Sequence, residues 1–390
     1  MRLSPVFASV LVWAAVPVLL LGACNRSPAP APQPAASQAA APAAEPFAAH
    51  DEAADVSAPD SDPRPLMQAQ VVLDRLGFTP GVVDGKMGQS TRNALAGFQE
   101  ANGLTQSGEF DEATRQKLAQ WNRIPATRVV TIPESFAAGP FQPLPKEPAD
   151  QANLPALGYA SLDEKLAERF HTTPETLALL NPGGVPAAPG ASAPAASVPP
   201  PSAAPVPPPP MFRAGQQVRV PNIGGDQIDP TAIDADPDWI ATLAMLGVGT
   251  GQPKVERIVV SKSKGVLKAY DAADKLVAVY TATMGSEHDP LPLGTWKING
   301  VSRNPKFHYN PALFWDAQPG DKKATLPPGP NGPVGVVWID LSKPHYGIHG
   351  TPKPETIGRA ESHGCVRLTN WDAARLSLMV HAGTQVLFEA

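Results

Sequence analysis

Near its C-terminal end the chain reads His345-Tyr346-Gly347-Ile348-His349-Gly350-Thr351 and then, after a spacer, Ser362-His363-Gly364-Cys365-Val366-Arg367-Leu368. A thiol becomes a strong nucleophile only when it loses its proton, and a nearby imidazole can take that proton. Gly364 lets backbone N–H groups approach a reacting oxygen without a side chain in the way. Together these residues predict a cysteine acyl-transfer site.

The pattern resembles the catalytic signature of the L,D-transpeptidases, which is a His-Gly, a spacer, Ser/Thr-His-Gly-Cys and an Arg or Asn two residues on. Here it reads His349-Gly350, Ser362-His363-Gly364-Cys365 and Arg367. The resemblance covers roughly residues 253–390. It implies a mainly antiparallel β-sandwich or barrel-like catalytic domain.

The resemblance also implies a role for each residue of the signature. Cys365 is the nucleophile, and His349 is its base and later an acid, oriented by the carbonyl of Gly350. The N–H groups of Gly364 and Cys365 are candidates for the oxyanion hole. Such a pair should lower the pKa of the cysteine below ~8.5, the value of a free thiol.

The roles of the remaining site residues stay open at this stage. Ser362 and His363 are expected to shape the loop, but His363 could itself be the base. Arg367 is expected to bind a substrate carboxylate, with a structural salt bridge as the alternative, and Tyr346 is expected to line the cleft. No spacing of ligands suggests a metal, and no cofactor is expected.

The implied reaction is transpeptidation of peptidoglycan. The thiolate attacks a tetrapeptide stem, D-Ala leaves, and the thioester passes to the amine of another stem, which gives a 3-3 cross-link, or to a lysine of an envelope lipoprotein. Two alternatives remain: a carboxypeptidase or hydrolase of the same fold, and a non-catalytic peptidoglycan-binding lipoprotein. The net charge of −5 and the absence of a basic tract argue against nucleic acid as a partner.

The N-terminus has the features of a lipoprotein signal peptide. Residues 1–24 combine a short positive start, an apolar run and Leu21-Gly22-Ala23-Cys24, which resembles a bacterial lipobox. Residues 25–63 contain almost no large apolar side chains and predict a disordered tether. Asn25, by resemblance to Gram-negative lipoproteins, indicates a periplasm-facing position in the cell envelope at the outer membrane.

Two smaller modules are expected between the tether and the catalytic domain. Residues 64–121 resemble a three-helix peptidoglycan-binding domain. Residues 157–222 resemble a LysM module with a low-complexity insert at 183–210. Proline, at 48 of 390 residues, is concentrated between domains. Residues 122–156 and 223–252 are therefore predicted to be linkers.

The lipobox generates the first testable prediction. If Cys24 carries lipid, Cys24→Ala should move the protein from the membrane fraction to the soluble fraction, because the acyl chains are its only predicted anchor. Immunoblotting of the fractions measures this, with Cys365→Ala as the matched control that should stay bound. Equal membrane retention of both variants would disprove lipid anchoring at Cys24.

Overall fold

The structure, a computed structural model, describes residues 63–186, 210–225, 227–231, 233 and 236–390. The predicted signal peptide with Cys24, the tether apart from residue 63, and most of the insert at 183–210 lie outside the described residues. No helix in the described part of the chain is long and apolar enough to cross a membrane.

The three predicted N-terminal helices are confirmed. The elements are α1 (Pro65–Arg75), β1 (Phe78–Thr79), α2 (Gln89–Ala101) and α3 (Glu112–Leu118). Gly77 follows α1 with φ +87°, a conformation that suits glycine at a helix C-terminus. Asp111 caps α3, since its side chain accepts a hydrogen bond from the Thr114 N–H.

A middle module, residues 127–186 and 210–223, has the order strand, helices, strand. Its elements are β2 (Thr127–Thr131), the short helices α4 (Glu134–Ala137) and α5 (Pro148–Gln151), α6 (Leu162–Arg169), α7 (Pro174–Leu180) and β3 (Gln217–Pro221). Strands β2 and β3 pair antiparallel. The first strand lies inside the predicted linker 122–156, because the buried side chains of Val129, Val130 and Ile132 belong to a core. The LysM resemblance itself stays a prediction.

The second predicted linker, 223–252, also differs from the structure, because it contains a helix, α8 (Pro237–Leu246). Asp236 caps this helix by accepting from the Trp239 N–H. Trp239, Leu243 and Leu246 recur at helical spacing and are fully buried. Gly247, with φ +66°, ends the helix. A hydrophobic stripe with both caps therefore makes this segment part of the fold.

The C-terminal domain is built on one continuous sheet and a single long helix. The strands are β4 (Arg257–Ser261), β5 (Val266–Tyr270), β6 (Leu276–Thr281), β7 (Thr283–Met284), β8 (Gly294–Arg303), β9 (Phe307–Tyr309), β10 (Ala324–Leu326), β11 (Val337–Leu341), β12 (Gly347–His349), β13 (Val366–Arg367) and β14 (Gln385–Glu389). The sheet order is β1-β6-β5-β4-β14-β8-β11-β12-β13-β7, and β9 and β10 form a separate hairpin. Most neighbours are antiparallel, as predicted. Helix α9 (Asn370–Met379) begins at the predicted cap Thr369 and packs on β11 and β12.

The N-terminal helices share a core with the C-terminal domain. Strand β1 extends the large sheet by pairing parallel with β6, in the register Phe78↔Val279. Helix α2 lies on the same strand so closely that a Cβ at Gly97 would stand 2.6 Å from Val279 Cγ2. Leu73 and Leu95 complete this joint cluster. Residues 64–121, predicted as a separate domain, therefore share a hydrophobic core with the C-terminal domain.

A buried ion pair links all three parts of the chain. Asp74 of α1 receives two hydrogen bonds from the Arg375 guanidinium of α9, at 2.6 and 3.1 Å. Nδ1 of His171, from the middle module, lies 3.1 Å from the same carboxylate, and its ring stacks on Trp371 of α9. The helix that follows the cysteine loop is thus anchored to both accessory parts.

The ion pair generates a prediction about stability. Burial alone would raise the pKa of Asp74, but Arg375 and His171 together hold it well below its usual range. A depressed carboxyl pKa adds stability at neutral pH that is lost as the pH falls below ~4. Asp74→Ala should lower the free energy of unfolding at pH 7 by about 3–5 kcal/mol, because it strands a buried guanidinium.

Urea unfolding measures the effect at pH 7 and at pH 3. The control is Asp274→Ala, which removes the exposed partner of Arg257 and should change little. Equal unfolding midpoints for the two variants at pH 7 would contradict the anchoring role of Asp74.

Candidate active site

The loop that carries the cysteine is fixed by the hydroxyl of Ser362. This hydroxyl donates to the Cys365 carbonyl at 2.6 Å and accepts from the Gly285 N–H at 2.7 Å, so it ties the loop to the end of β7. Gly364 has φ +92°, and a Cβ there would stand 2.6 Å from the ring of Tyr346. Only glycine fits this position, and Tyr346 forms the wall behind it.

Two short parallel strands bring the reactive residues to one face. Strands β12 and β13 pair in the register Ile348↔Val366, and both of these side chains point into the hydrophobic core. Side chains alternate along a strand. His349, Cys365 and Arg367 therefore occupy the opposite face, with the histidine diagonal to the cysteine.

His349 is held in one tautomer. Its Nδ1 lies 2.7 Å from the Gly350 carbonyl oxygen, which can only accept, so Nδ1 carries the proton and Nε2 keeps a lone pair. The indole of Trp338 stacks on the imidazole at 5.5 Å between ring centroids. Burial, assisted by the charge of Arg367, lowers the pKa of His349 to about 4. The imidazole is therefore neutral at pH 7 and fit to accept a proton.

The protonation state of Cys365 differs from the one expected. Burial raises the pKa of the thiol; the Gly347 N–H and Arg367 oppose the rise, and Asp289 adds to it. The thiol faces the His345 carbonyl at 3.8 Å. The resting pair is therefore a thiol and a neutral imidazole, because both charged forms would be desolvated.

His363 is engaged by a neighbouring segment. Its Nε2 lies 2.8 Å from Asp316 Oδ1, and the rings of Phe314 and Trp315 pack on it. The ring of Trp315 also stacks on His288. These contacts give His363 a position in the wall of the cleft.

Arg367 lies beside the thiol with unused hydrogen-bonding capacity. Its Nη1 donates to the Glu361 carbonyl at 3.3 Å, and burial lowers the pKa of the guanidinium. Among the described residues its buried Nε has no partner. No ion pair to Arg367 is present in the described part of the chain, so the structural salt bridge considered from the sequence is not seen there.

Two backbone donors lie next to the thiol. Within the described residues, the N–H groups of Gly364 and Cys365 donate to no backbone acceptor. Both are free to bind an oxyanion there. The described residues contain no cluster of side chains able to hold a metal ion.

Several contributors to the site were not found by sequence reasoning. Trp338, Asp316 and Asp289 act through packing or charge across segments that are distant in sequence. Asn370, next to the predicted cap Thr369, is also among them. Its only sequence signal is its position five residues after the cysteine.

The arrangement fits cysteine acyl transfer, and the comparisons with known proteins point to the same chemistry. Residues 255–387 match the family model of the YkuD L,D-transpeptidase catalytic domain, and residues 65–118 match that of a "Putative peptidoglycan binding domain". The chain therefore contains an L,D-transpeptidase catalytic domain preceded by a peptidoglycan-binding domain.

Individual relatives carry the same description. The chain is 36% identical over 130 residues to "Putative L,D-transpeptidase YkuD" of Bacillus licheniformis, covering 33% of this chain and 63% of the relative. It is 53% identical over 57 residues to the protein of that name in Bacillus subtilis, covering 15% and 35%. A solved "L,D-transpeptidase from Mycobacterium smegmatis" is 20% identical, with a TM-score of 0.28, over 35% of this chain and 59% of that one. The chain spans less than two thirds of the length of each.

The site generates a prediction about the thiol. Because the charge of Arg367 lowers the pKa of Cys365, Arg367→Met should move the pH profile of iodoacetamide alkylation to higher pH. The wild-type profile should itself lie above ~8.5, the value of a free thiol. Peptide mass spectrometry follows the labelling of Cys365.

Arg359→Met is the matched control, since it removes an equal charge that is not among the causes of the thiol's shift. Its profile should superpose on that of the wild type. A wild-type midpoint well below ~8.5 would mean that a thiolate–imidazolium pair is already formed at rest.

Proposed function

We propose that the chain is a peptidoglycan L,D-transpeptidase that acts through a thioester on Cys365. The observation that carries the proposal is that His349, Cys365 and Arg367 lie on the same face of strands β12 and β13. The Gly350 carbonyl holds His349 in the tautomer whose Nε2 can accept a proton. The match of residues 255–387 to the catalytic domain supports it.

The first half of the reaction forms the thioester. Sγ of Cys365 bonds to the carbonyl carbon between the third residue of a tetrapeptide stem and its terminal D-Ala, while the thiol proton passes to Nε2 of His349. The N–H groups of Gly364 and Cys365 bind the oxyanion. The C–N bond then breaks, and the imidazolium gives its proton to the departing amine of D-Ala.

The second half transfers the acyl group. An acceptor amine attacks the thioester, His349 takes a proton from the amine, and the sulfur leaves and regains that proton. Because the resting thiol and imidazole are both neutral, we expect proton transfer to accompany attack and not to precede it. The acceptor is another stem, which forms a 3-3 cross-link, or a lysine of an envelope lipoprotein.

Positive charge beside the thiol suits the carboxylates of a stem peptide. The charge of Arg367 acts on the thiol, and its Nε has no hydrogen-bond partner among the residues that the structure describes. Nζ of Lys343 lies 5.7 Å from the ring centroid of Tyr346, the side chain that packs on Gly364. We assign these groups to substrate binding, with the N-terminal helices holding the glycan.

The location of the enzyme is part of the proposal. Lipid on Cys24 would anchor the chain in the cell envelope, facing the periplasm, and the predicted tether would let the catalytic domain reach the wall. This part rests on the sequence of residues 1–63. The proposed partners are thus peptidoglycan and the membrane.

The products of the reaction test the function. Incubated with disaccharide-tetrapeptides, the purified chain should release D-Ala and form a cross-linked dimer, read by mass spectrometry. Cys365→Ser should form none, and His349→Ala should turn over roughly 10²–10⁴-fold more slowly, since it lacks the base. His363→Ala should be less impaired.

Three results would redirect the assignment. Formation of tripeptide without dimer would establish the hydrolase alternative, because water would then be the acceptor. A stem left intact under all conditions would favour the non-catalytic, wall-binding alternative. A stronger loss for His363→Ala than for His349→Ala would make His363 the base.

A further inference from the structure

We propose that Asn370, held by Glu168 of the middle module, is a positioning residue for the catalytic histidine. The middle module would then be a working part of the active site and not only a spacer or a wall-binding unit. This inference rests on the proposed function in one respect only, namely that His349 is the base for Cys365.

Asn370 lies at the junction between the catalytic strands and the start of α9. It is fully buried. Its Nδ2 donates to Glu168 Oε1 at 2.8 Å and to the Pro330 carbonyl at 3.0 Å, and its Oδ1 accepts from the Val336 N–H at 3.3 Å. The side-chain amide is therefore held by three partners and has little freedom to turn.

Two glycines are shaped around this amide. A Cβ at Gly350 or at Gly335 would overlap Asn370 Oδ1. Gly350 supplies the carbonyl that accepts from His349 Nδ1. The amide oxygen of Asn370 thus packs closely against Gly350. Gly350 directly follows His349 in the chain, and its carbonyl sets the tautomer of the His349 imidazole.

Glu168, the carboxyl group that holds Asn370, belongs to the middle module. Glu168 lies on α6 and is buried, and its other oxygen, Oε2, accepts from the Tyr159 hydroxyl at 2.5 Å. Burial raises the pKa of Glu168 to about 7, although both hydrogen bonds oppose the rise. Burying a carboxyl is costly unless it is hydrogen-bonded, and Glu168 meets this condition through Tyr159 and Asn370. The second of these hydrogen bonds fixes Asn370.

Helix α6 also provides an internal control. Glu164, one turn before Glu168, accepts a hydrogen bond from Asn331 Nδ2 at 2.8 Å. This bond likewise joins the middle module to the C-terminal domain through a carboxylate and an amide. The three atoms nearest to a Cβ at Gly350, however, all belong to Asn370. Loss of Glu164 therefore tests attachment of the module while the hydrogen bond between Glu168 and Asn370 keeps both of its partners.

The experiment compares Glu168→Ala, Glu168→Gln and Glu164→Ala in the full chain. Nitrogen-15 NMR of labelled histidine reports which ring nitrogen of His349 carries the proton, with His349→Ala used to assign its signals. The wild type should show the Nδ1–H form alone. Glu168→Ala should show a mixture with the Nε2–H form, and its kcat should fall on the order of 10²-fold with a smaller change in KM.

The matched variants decide the interpretation. Glu168→Gln keeps an oxygen for Asn370 and should restore the Nδ1–H form, and Glu164→Ala should behave as the wild type. If Glu168→Ala does not fold, Asn370→Asp keeps the side-chain volume, removes the donor and should give the same mixture. A folded Glu168→Ala or Asn370→Asp with the wild-type tautomer and kcat would overturn the inference.

Failure of the inference can be told from failure of the proposed function. If the wild type already lacks the Nδ1–H form, the assignment of His349 as base is wrong. If the wild type has that form and turns over stems while Glu168→Ala is unchanged, only the positioning role is wrong. Equal effects of Glu164→Ala and Glu168→Ala would reduce the contact to attachment of the module.

Discussion

The fold depends on the buried carboxylate of Asp74, because this one group joins three parts of the chain that are far apart in sequence. Arg375 comes from the helix behind the catalytic strands, and His171 comes from the middle module. Removing Arg375 would leave the Asp74 carboxylate as a buried charge without its ion-pair partner, which is far costlier than a lost surface pair. The N-terminal helices, the middle module and the C-terminal domain are therefore expected to fold against one another and not as independent domains.

That constraint extends to the catalytic face. Helix α9 begins with Asn370, which packs against Gly350, and carries Arg375, which binds Asp74, five residues later. The orientation of His349 depends on the Gly350 carbonyl. Helix α9 thus contributes both to the stability of the fold and to the geometry of the site. This explains why the N-terminal helices and the middle module pack so closely on the C-terminal domain.

Much of the fold and the centre of the site could be predicted from local sequence. Periodic apolar residues predict α1 and α2, and the expected orientation of His349 by the Gly350 carbonyl is seen in the structure. The pairing of β1 with β6 could not be predicted, because about 200 residues separate its partners and two residues carry no register signal. Helix α8 was missed because proline and acidic residues surround its short apolar stripe.

The protonation of Cys365 was also beyond sequence reasoning. A histidine near a cysteine predicts a thiolate, but the outcome depends on how far burial disfavours charge, which only packing reveals. Neutral partners imply that attack and proton transfer occur together. The same packing places Asp316 on His363, a contact between segments 47 residues apart.

The central claim is that Cys365 carries the acyl group during turnover. The most direct test mixes the full chain with a tetrapeptide stem whose amines are blocked, quenches in acid and maps the adduct by peptide mass spectrometry. The account predicts one acyl-tripeptide on Cys365 with release of D-Ala, and no adduct in Cys365→Ser. An adduct on another residue, or D-Ala release by Cys365→Ser, would contradict it.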